Sequence, residues 1–256
     1  MYRLINRQTL SFQTCSKVMT VPRGRNCSGL GSQAPAVKSL NPFQQSLLSM
    51  GAAVTALVDP HRHDMVATLG ETTGHRALLN IHRQMKEDEE GRQILKERPR
   101  INSSTLDLPA LKLLPEGTLG WSYIKFLEHN QVTPDSRRAV EFVVDEELRY
   151  VMQRYREVHD LFHTVLGMPT NMLGEVAVKW VEALQTGLPM CAGAALFGPV
   201  RFKTKQRSQY VSQYLPWALR VGRESRPLMN VYYEKRWHQP VTDIQKELNI
   251  EHFCGK

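Results

Sequence analysis

From Pro42 onward the apolar residues of this chain recur at helical spacing, not at the alternation of strands. Phe43, Leu47, Met50, Val54 and Leu57 fall close to a period of ~3.6, and Asp59-Pro60 closes that run after Val58. Gly70 to Gly74 reads as a turn, and His75 to Met85 as a helix with Ala77, Leu78 and Ile81 inward. Lys86 to Glu90 is charged and reads as solvated. Arg92 to Glu97 predicts a short helix stopped before Pro99. Ile101 to Gly120 is broken by Asp107-Leu108-Pro109 and Leu114-Pro115-Glu116-Gly117. Trp121 to Glu128 is amphipathic again, and Thr133-Pro134-Asp135 marks another turn.

The strongest helical signal starts at Asp145, a good N-cap, with Glu146 and Glu147 placed against the positive end of the helix dipole. Leu148, Met152, Tyr155, His159, Phe162 and Leu166 then form one stripe, ended by Gly167 and Pro169. A second helix is predicted from Asn171 to Thr186 with Leu173, Val176, Trp180 and Leu184 inward, closed by Gly187-Leu188-Pro189. So short a connection predicts two helices packed side by side. Further helices are expected over Ser208–Gly222 and Thr242–Leu248, with a packed aromatic segment over Leu228–Trp237 between them. The class is mainly α: a single-domain helical bundle with short irregular connections over residues 41–256, preceded by a disordered N-terminal segment.

Charge changes the picture at that N-terminus. The first 58 residues hold no Asp or Glu but carry Arg3, Arg7, Lys17, Arg23, Arg25 and Lys38. Most of the net charge of +8 therefore sits there, and what remains is 27 bases against 25 acids. A nucleic-acid module would keep its basic stripe in the folded part, so that class is set aside. A basic, acid-free, Ser/Thr-rich start reads as a mitochondrial transit peptide and linker over residues 1–40, with a plain disordered tail as the alternative. Cys15, Cys27, Cys191 and Cys254 form no Cys-x-x-Cys pair, which excludes a thiolate zinc finger and suits a reducing compartment. The longest apolar run, Leu188 to Val200, is too short to span a bilayer and reads as a buried hairpin or a lipid-touching patch.

One cluster carries chemistry. His159-Asp160-Leu161-Phe162-His163 puts two imidazoles one helical turn apart, and Glu175 follows on the next helix. Asp160 lies near enough round the axis to join or to orient a ligand. Two inward imidazoles must be hydrogen-bonded or metallated, because an unpaired buried polar group costs ~1–3 kcal/mol. The plain alternative is a pair of core histidines satisfied by Asp160 and a carbonyl. Glu175 has its own alternative, a surface ion pair with Lys179 at i+4. Nitrogen and oxygen donors without sulfur suit Zn²⁺, Fe²⁺ or Mn²⁺. The zincin pattern is different, since Glu there holds the second position that Asp160 holds here.

The run Tyr155 to His163, then Leu166-Gly167-Met168-Pro169-Thr170-Asn171 and Gly174-Glu175, resembles the coenzyme Q biosynthesis protein 4 family of mitochondria. So do Arg62 to Ala67, Leu69 to His75, Glu97-Arg98-Pro99-Arg100-Ile101, Leu114-Pro115-Glu116-Gly117, Phe197-Gly198-Pro199, Tyr232-Tyr233-Glu234 and Trp237. The resemblance implies a helical protein held peripherally on the matrix side of the inner membrane. It implies a zinc site carried by His159, Asp160, His163 and Glu175, with no catalytic residue assigned beyond them. The implied reaction removes the C1 carboxylate of 4-hydroxy-3-methoxy-5-polyprenylbenzoate in ubiquinone synthesis, by simple decarboxylation or oxidatively with C1 hydroxylation. The implied partners are that prenylated substrate, other ubiquinone-biosynthesis enzymes in a complex and the membrane surface; a homodimer stays open. The competing expectation is a non-catalytic, prenyl-lipid-binding scaffold with a structural metal.

Overall fold

One helix, Glu146–Leu166, is buried along most of its length, and four other α-helices pack directly on it. The computed structural model describes residues 37–59 and 62–255, less the side chains of Leu57 and His63. The transit segment expected over residues 1–40 falls outside the described residues apart from 37–40. In chain order the helices are α1 Pro42–Val58, α2 His63–Thr73, α3 His75–Glu87, α4 Glu89–Glu97, α5 Leu108–Lys112 and α6 Leu119–Asn130. Then come α7 Glu146–Leu166, α8 Met172–Thr186, α9 Pro189–Phe197, α10 Thr204–Gln209, α11 Leu215–Glu224 and α12 Val241–Glu247. Among the described residues there is no strand, only an isolated bridge between Thr118 and Pro240.

Three sequence expectations are corrected. Gly70 is not in a turn: α2 runs on to Thr73 and only Gly74 separates it from α3. A Cβ on Gly70 would lie 2.3 Å from the Met190 sulfur, so this glycine serves the close approach of α9 to α2. The Leu188–Val200 run is not a hairpin but helix α9 followed by a 3-10 turn over Gly198–Arg201. Its Met190, Cys191 and Ala195 are buried, while Leu196, Phe197 and Val200 face outward. The helix expected over Ser208–Gly222 is interrupted by five residues of π-helix, Tyr210–Tyr214. Pro216 lacks the N–H that an α-helical ladder would need there, which accounts for the wider turn.

The largest departure concerns α7. A single apolar stripe implies a solvated back, yet every residue from Tyr150 to His163 is buried. Burial all round marks a helix enclosed by its neighbours. Its polar residues are met by partners from remote parts of the chain. Arg154 reaches Glu234 and the Val231 carbonyl. Arg156 reaches Glu71 at 2.6 Å and the carbonyls of Ala67 and Arg138. Glu157 accepts from Arg100 and from the Ile101 N–H at 2.9 Å. The apolar core closes round these pairs through Leu78, Ile81, Met85, Tyr123, Val151, Val158, Leu161, Val181 and Tyr233.

Candidate metal centre

The two ends that form the site are well specified locally. Asp145 caps α7 by accepting from the Leu148 N–H at 2.9 Å, and Gly167 ends it in the left-handed region at φ 65°. Asn171 caps α8, its side chain accepting from the Leu173 and Gly174 N–H groups at 3.1 and 3.0 Å. The five residues between the helices fold back on α7, and the Met168 N–H donates to the His163 carbonyl at 3.0 Å. Gly174 makes the crossing tight: a Cβ there would lie 2.0 Å from the Pro169 carbonyl oxygen. Gly174→Ala is therefore expected to cost roughly 1–3 kcal/mol and to push Glu175 away from the histidines, read as a lower melting temperature together with weakened metal binding. A variant unchanged in both would contradict this packing.

The turn carries Glu175 to the histidines. One ligand atom each of His159, His163 and Glu175 lies within 4.8 Å of the others. The two imidazole rings stand 4.9 Å apart and nearly perpendicular. His163 donates Nδ1–H to the Met168 carbonyl at 3.1 Å, so its Nε2 carries the lone pair. That Nε2 is buried, lacks a hydrogen-bond partner and sits 3.4 Å from Glu175 Oε1. His159 places Nδ1 2.6 Å from Glu182 Oε1, which likewise turns Nε2 away from the carboxylate. Burial and the nearby Lys179 ammonium push the His159 pKa down against the pull of Glu182, favouring the neutral ring a metal requires.

Asp160 stands apart from the group of three. Its carboxylate is ion-paired with Arg137, which also lines a surface cleft with Arg100, Ser103, Asp135 and Glu157. Glu175 does not form the surface pair with Lys179. That lysine turns inward and donates to Glu182 at 2.6 Å. Partial burial opposes ionisation of Glu175, and the nearby Lys179 ammonium favours it. On α8 Leu173 and Val176 are buried as expected and Trp180 packs against the core, with Val178, Val181 and Glu182 also inward, whereas Leu184 is exposed.

Glu182 is the residue that sequence reasoning missed. Its side chain is wholly buried, and burial is overcome by Lys179 and His159, which hold its carboxyl well below the usual carboxylate range. The signal was present in the spacing. Glu175, Lys179 and Glu182 recur at i, i+4 and i+7, one face of α8, and that face meets α7.

The donors fit a divalent cation. Two imidazole nitrogens and a carboxylate converge, one nitrogen is orphaned in the interior, and both Nδ1 atoms are tied from behind as in metal-bound histidines. Glu175 keeps about a third of its side chain exposed at 36%, so the group opens to one side.

Comparison with known proteins adds four findings. A family model described as coenzyme Q (ubiquinone) biosynthesis protein Coq4 matches residues 35–253. A mitochondrial ubiquinone biosynthesis protein COQ4 homolog of Aedes aegypti is 60% identical over 212 residues, covering 83% of this chain and 77% of its own. The homolog of Anopheles gambiae is 52% identical, covering 97% and 93%. Among solved structures, a Nostoc punctiforme protein superposes with a TM-score of 0.64 at 21% identity, over 80% of this chain and 98% of that one, a likeness of fold.

Proposed function

The chain belongs to the coenzyme Q (ubiquinone) biosynthesis protein Coq4 family, and from that premise we propose that its buried histidine–glutamate group holds a divalent metal for decarboxylating a prenylated hydroxybenzoate. The observation that carries the reading is the orphaned Nε2 of His163 facing Glu175, with the His159 ring 4.9 Å from its own. Zn²⁺ is the first candidate, and Fe²⁺ and Mn²⁺ suit the same donors. When bound, the cation supplies a Lewis acid for the charge that builds on the aromatic ring as the C1 carboxylate leaves.

The chain's own residues do the rest. His159, His163 and Glu175 hold the ion, and Asp160, ion-paired with Arg137, lies outside that group of three. Arg137 offers a guanidinium beside the centre, suited to an anionic substrate group. Phe126, 5.7 Å from the His163 ring, and the enclosing α7 keep water from the back of the site. An opening at Glu175 favours catalysis over a sealed structural ion. Elemental analysis of purified protein with turnover of the defined benzoate substrate tests the reading. Metal-stripped protein that converts the substrate at full rate would remove it.

Peripheral attachment to the matrix side of the inner membrane, within a complex of biosynthetic enzymes, belongs to the same proposal. Among the described residues no helix is long and apolar enough to cross a membrane. Support comes from α1, where Phe43, Leu47, Met50, Val54 and Val58 recur on one face and are 56–78% exposed. An apolar face of this extent on the outside calls for a lipid or protein cover. Leu196, Phe197 and Val200 add to it, since Arg201 approaches the Val58 carbonyl at 3.5 Å. Exposed Lys203, Lys205 and Arg207 follow, and no acid lies between Glu182 and Glu224. A basic rim favours anionic lipid; a two-fold pairing of copies would set like charges together. The double variant Leu47→Glu with Met50→Glu is expected to lose most co-sedimentation with anionic phospholipid vesicles while keeping its helical circular dichroism. Undiminished binding would exclude α1 as the docking face.

A further inference from the structure

Behind the metal ligands lies a closed cluster of polar side chains in the α7–α8 interface. Glu182 Oε1 meets His159 Nδ1 at 2.6 Å. Glu182 Oε2 accepts from Lys179 Nζ at 2.6 Å and from the Tyr155 hydroxyl at 2.8 Å, and Cys191 Sγ lies 3.5 Å away. Both oxygens are engaged and no part of the carboxylate is exposed. Such a carboxylate has no free rotation and no route to solvent.

Stability does not account for the arrangement. Removing two charges from water costs about as much as their attraction returns, and a well-packed apolar pair in the same place would hold the helices equally well. What an apolar pair could not do is orient an imidazole.

We infer that Glu182 is a positioning residue of this centre, locked by Lys179 and Tyr155 so that His159 keeps its proton on Nδ1 and its lone pair on Nε2. The inference rests on the metal reading above and extends it to residues outside the ligand set. It also makes the two histidines unequal. His163 donates to a neutral backbone carbonyl, whereas His159 donates to a carboxylate, which makes its ring the more electron-rich donor.

Two measurements test this. The first needs no variant: long-range nitrogen–proton NMR on metal-free, histidine-labelled protein is expected to show His159 as the Nδ1–H tautomer. The Nε2–H tautomer at His159 would overturn the inference outright. The second is zinc affinity by competition with a chromophoric chelator. Glu182→Gln keeps the shape and loses the charge, and is expected to weaken zinc binding ~10–100-fold with the fold intact by circular dichroism. Tyr155→Phe removes one of the groups that lock the carboxylate and is expected to give a smaller loss in the same direction. It decides the matter if Glu182→Gln does not fold. Unchanged zinc affinity in a folded Glu182→Gln, or in Tyr155→Phe should that one stand alone, would overturn the inference. Wild-type protein that binds no divalent metal would instead end the proposed function, and the tautomer result would still judge what Glu182 does to the ring.

Discussion

His163→Ala is expected to leave the protein without bound metal and without turnover, while its helices remain. Within the group of three the imidazole supplies the buried nitrogen that has no hydrogen-bond partner, and without it only His159 and Glu175 converge. Losing a residue behind a ligand weakens metal binding ~10–100-fold, so losing a ligand itself should cost more. The fold should tolerate the change for a specific reason. Truncation forfeits packing against Phe126 and His159, a cavity cost of roughly 2–5 kcal/mol for a large buried side chain. It also removes a buried nitrogen without a partner, which offsets ~1–3 kcal/mol of that. A shift of a few degrees in melting temperature is the expected result, read by thermal circular dichroism beside elemental analysis. An alanine variant that purifies with a full equivalent of metal would refute the ligand assignment. If the variant keeps its fold but no longer joins the other biosynthetic enzymes, the scaffold reading gains instead.

Glu234→Ala should be the most damaging single change for stability away from the centre. It faces Arg154, whose side chain has no exposure at all. Arg154 donates through Nη2 to Glu234 Oε2 and to the Val231 carbonyl, both at 3.1 Å, and its Nε already lacks a partner. Removing the carboxylate strands a guanidinium in the interior, which costs ~3–5 kcal/mol. In a domain of this size each kcal/mol moves the melting temperature by ~2–4 °C, so a fall on the order of 10 °C is expected. The reciprocal change should be gentler. Arg154→Met fills the space with an apolar chain, and the Glu234 left behind is at the edge, 15% exposed, where water reaches it. Calorimetry on both variants checks the asymmetry; equal melting temperatures for the two would show that the charge is not what matters there.

What could be read from the sequence was what is written in neighbouring residues. Asp145, Gly167 and Gly187 stop and start α7 and α8 where expected, because caps and left-handed glycines act within one turn. The His159–His163–Glu175 grouping was legible for the same reason: a helical repeat and a short connection leave the rings little choice of neighbour. The rest depended on distance. Arg137 meets Asp160 from 23 residues away, and Glu71, Arg100 and Glu234 reach α7 from further still. Periodicity sees only that those α7 positions are polar, so it assigns them to solvent. In α1 it finds an apolar face correctly but does not say that the face looks outward. For α8, Leu173 and Val176 are inward as expected, but Lys179 turns to the buried Glu182, a charge that the apolar pattern does not mark.

The placement of ionic ties along α7 sets how the molecule yields. Four arms of the chain, at Glu71, Arg100, Arg137 and Glu234, are each fastened to the middle of one rod, between Arg154 and Asp160. Peeling any arm away would bare a charge that has no water waiting for it, so fraying is penalised on every side at once. The histidine-bearing end of that rod therefore lies in the region that lets go last, and its spacing is kept while the outer layers breathe.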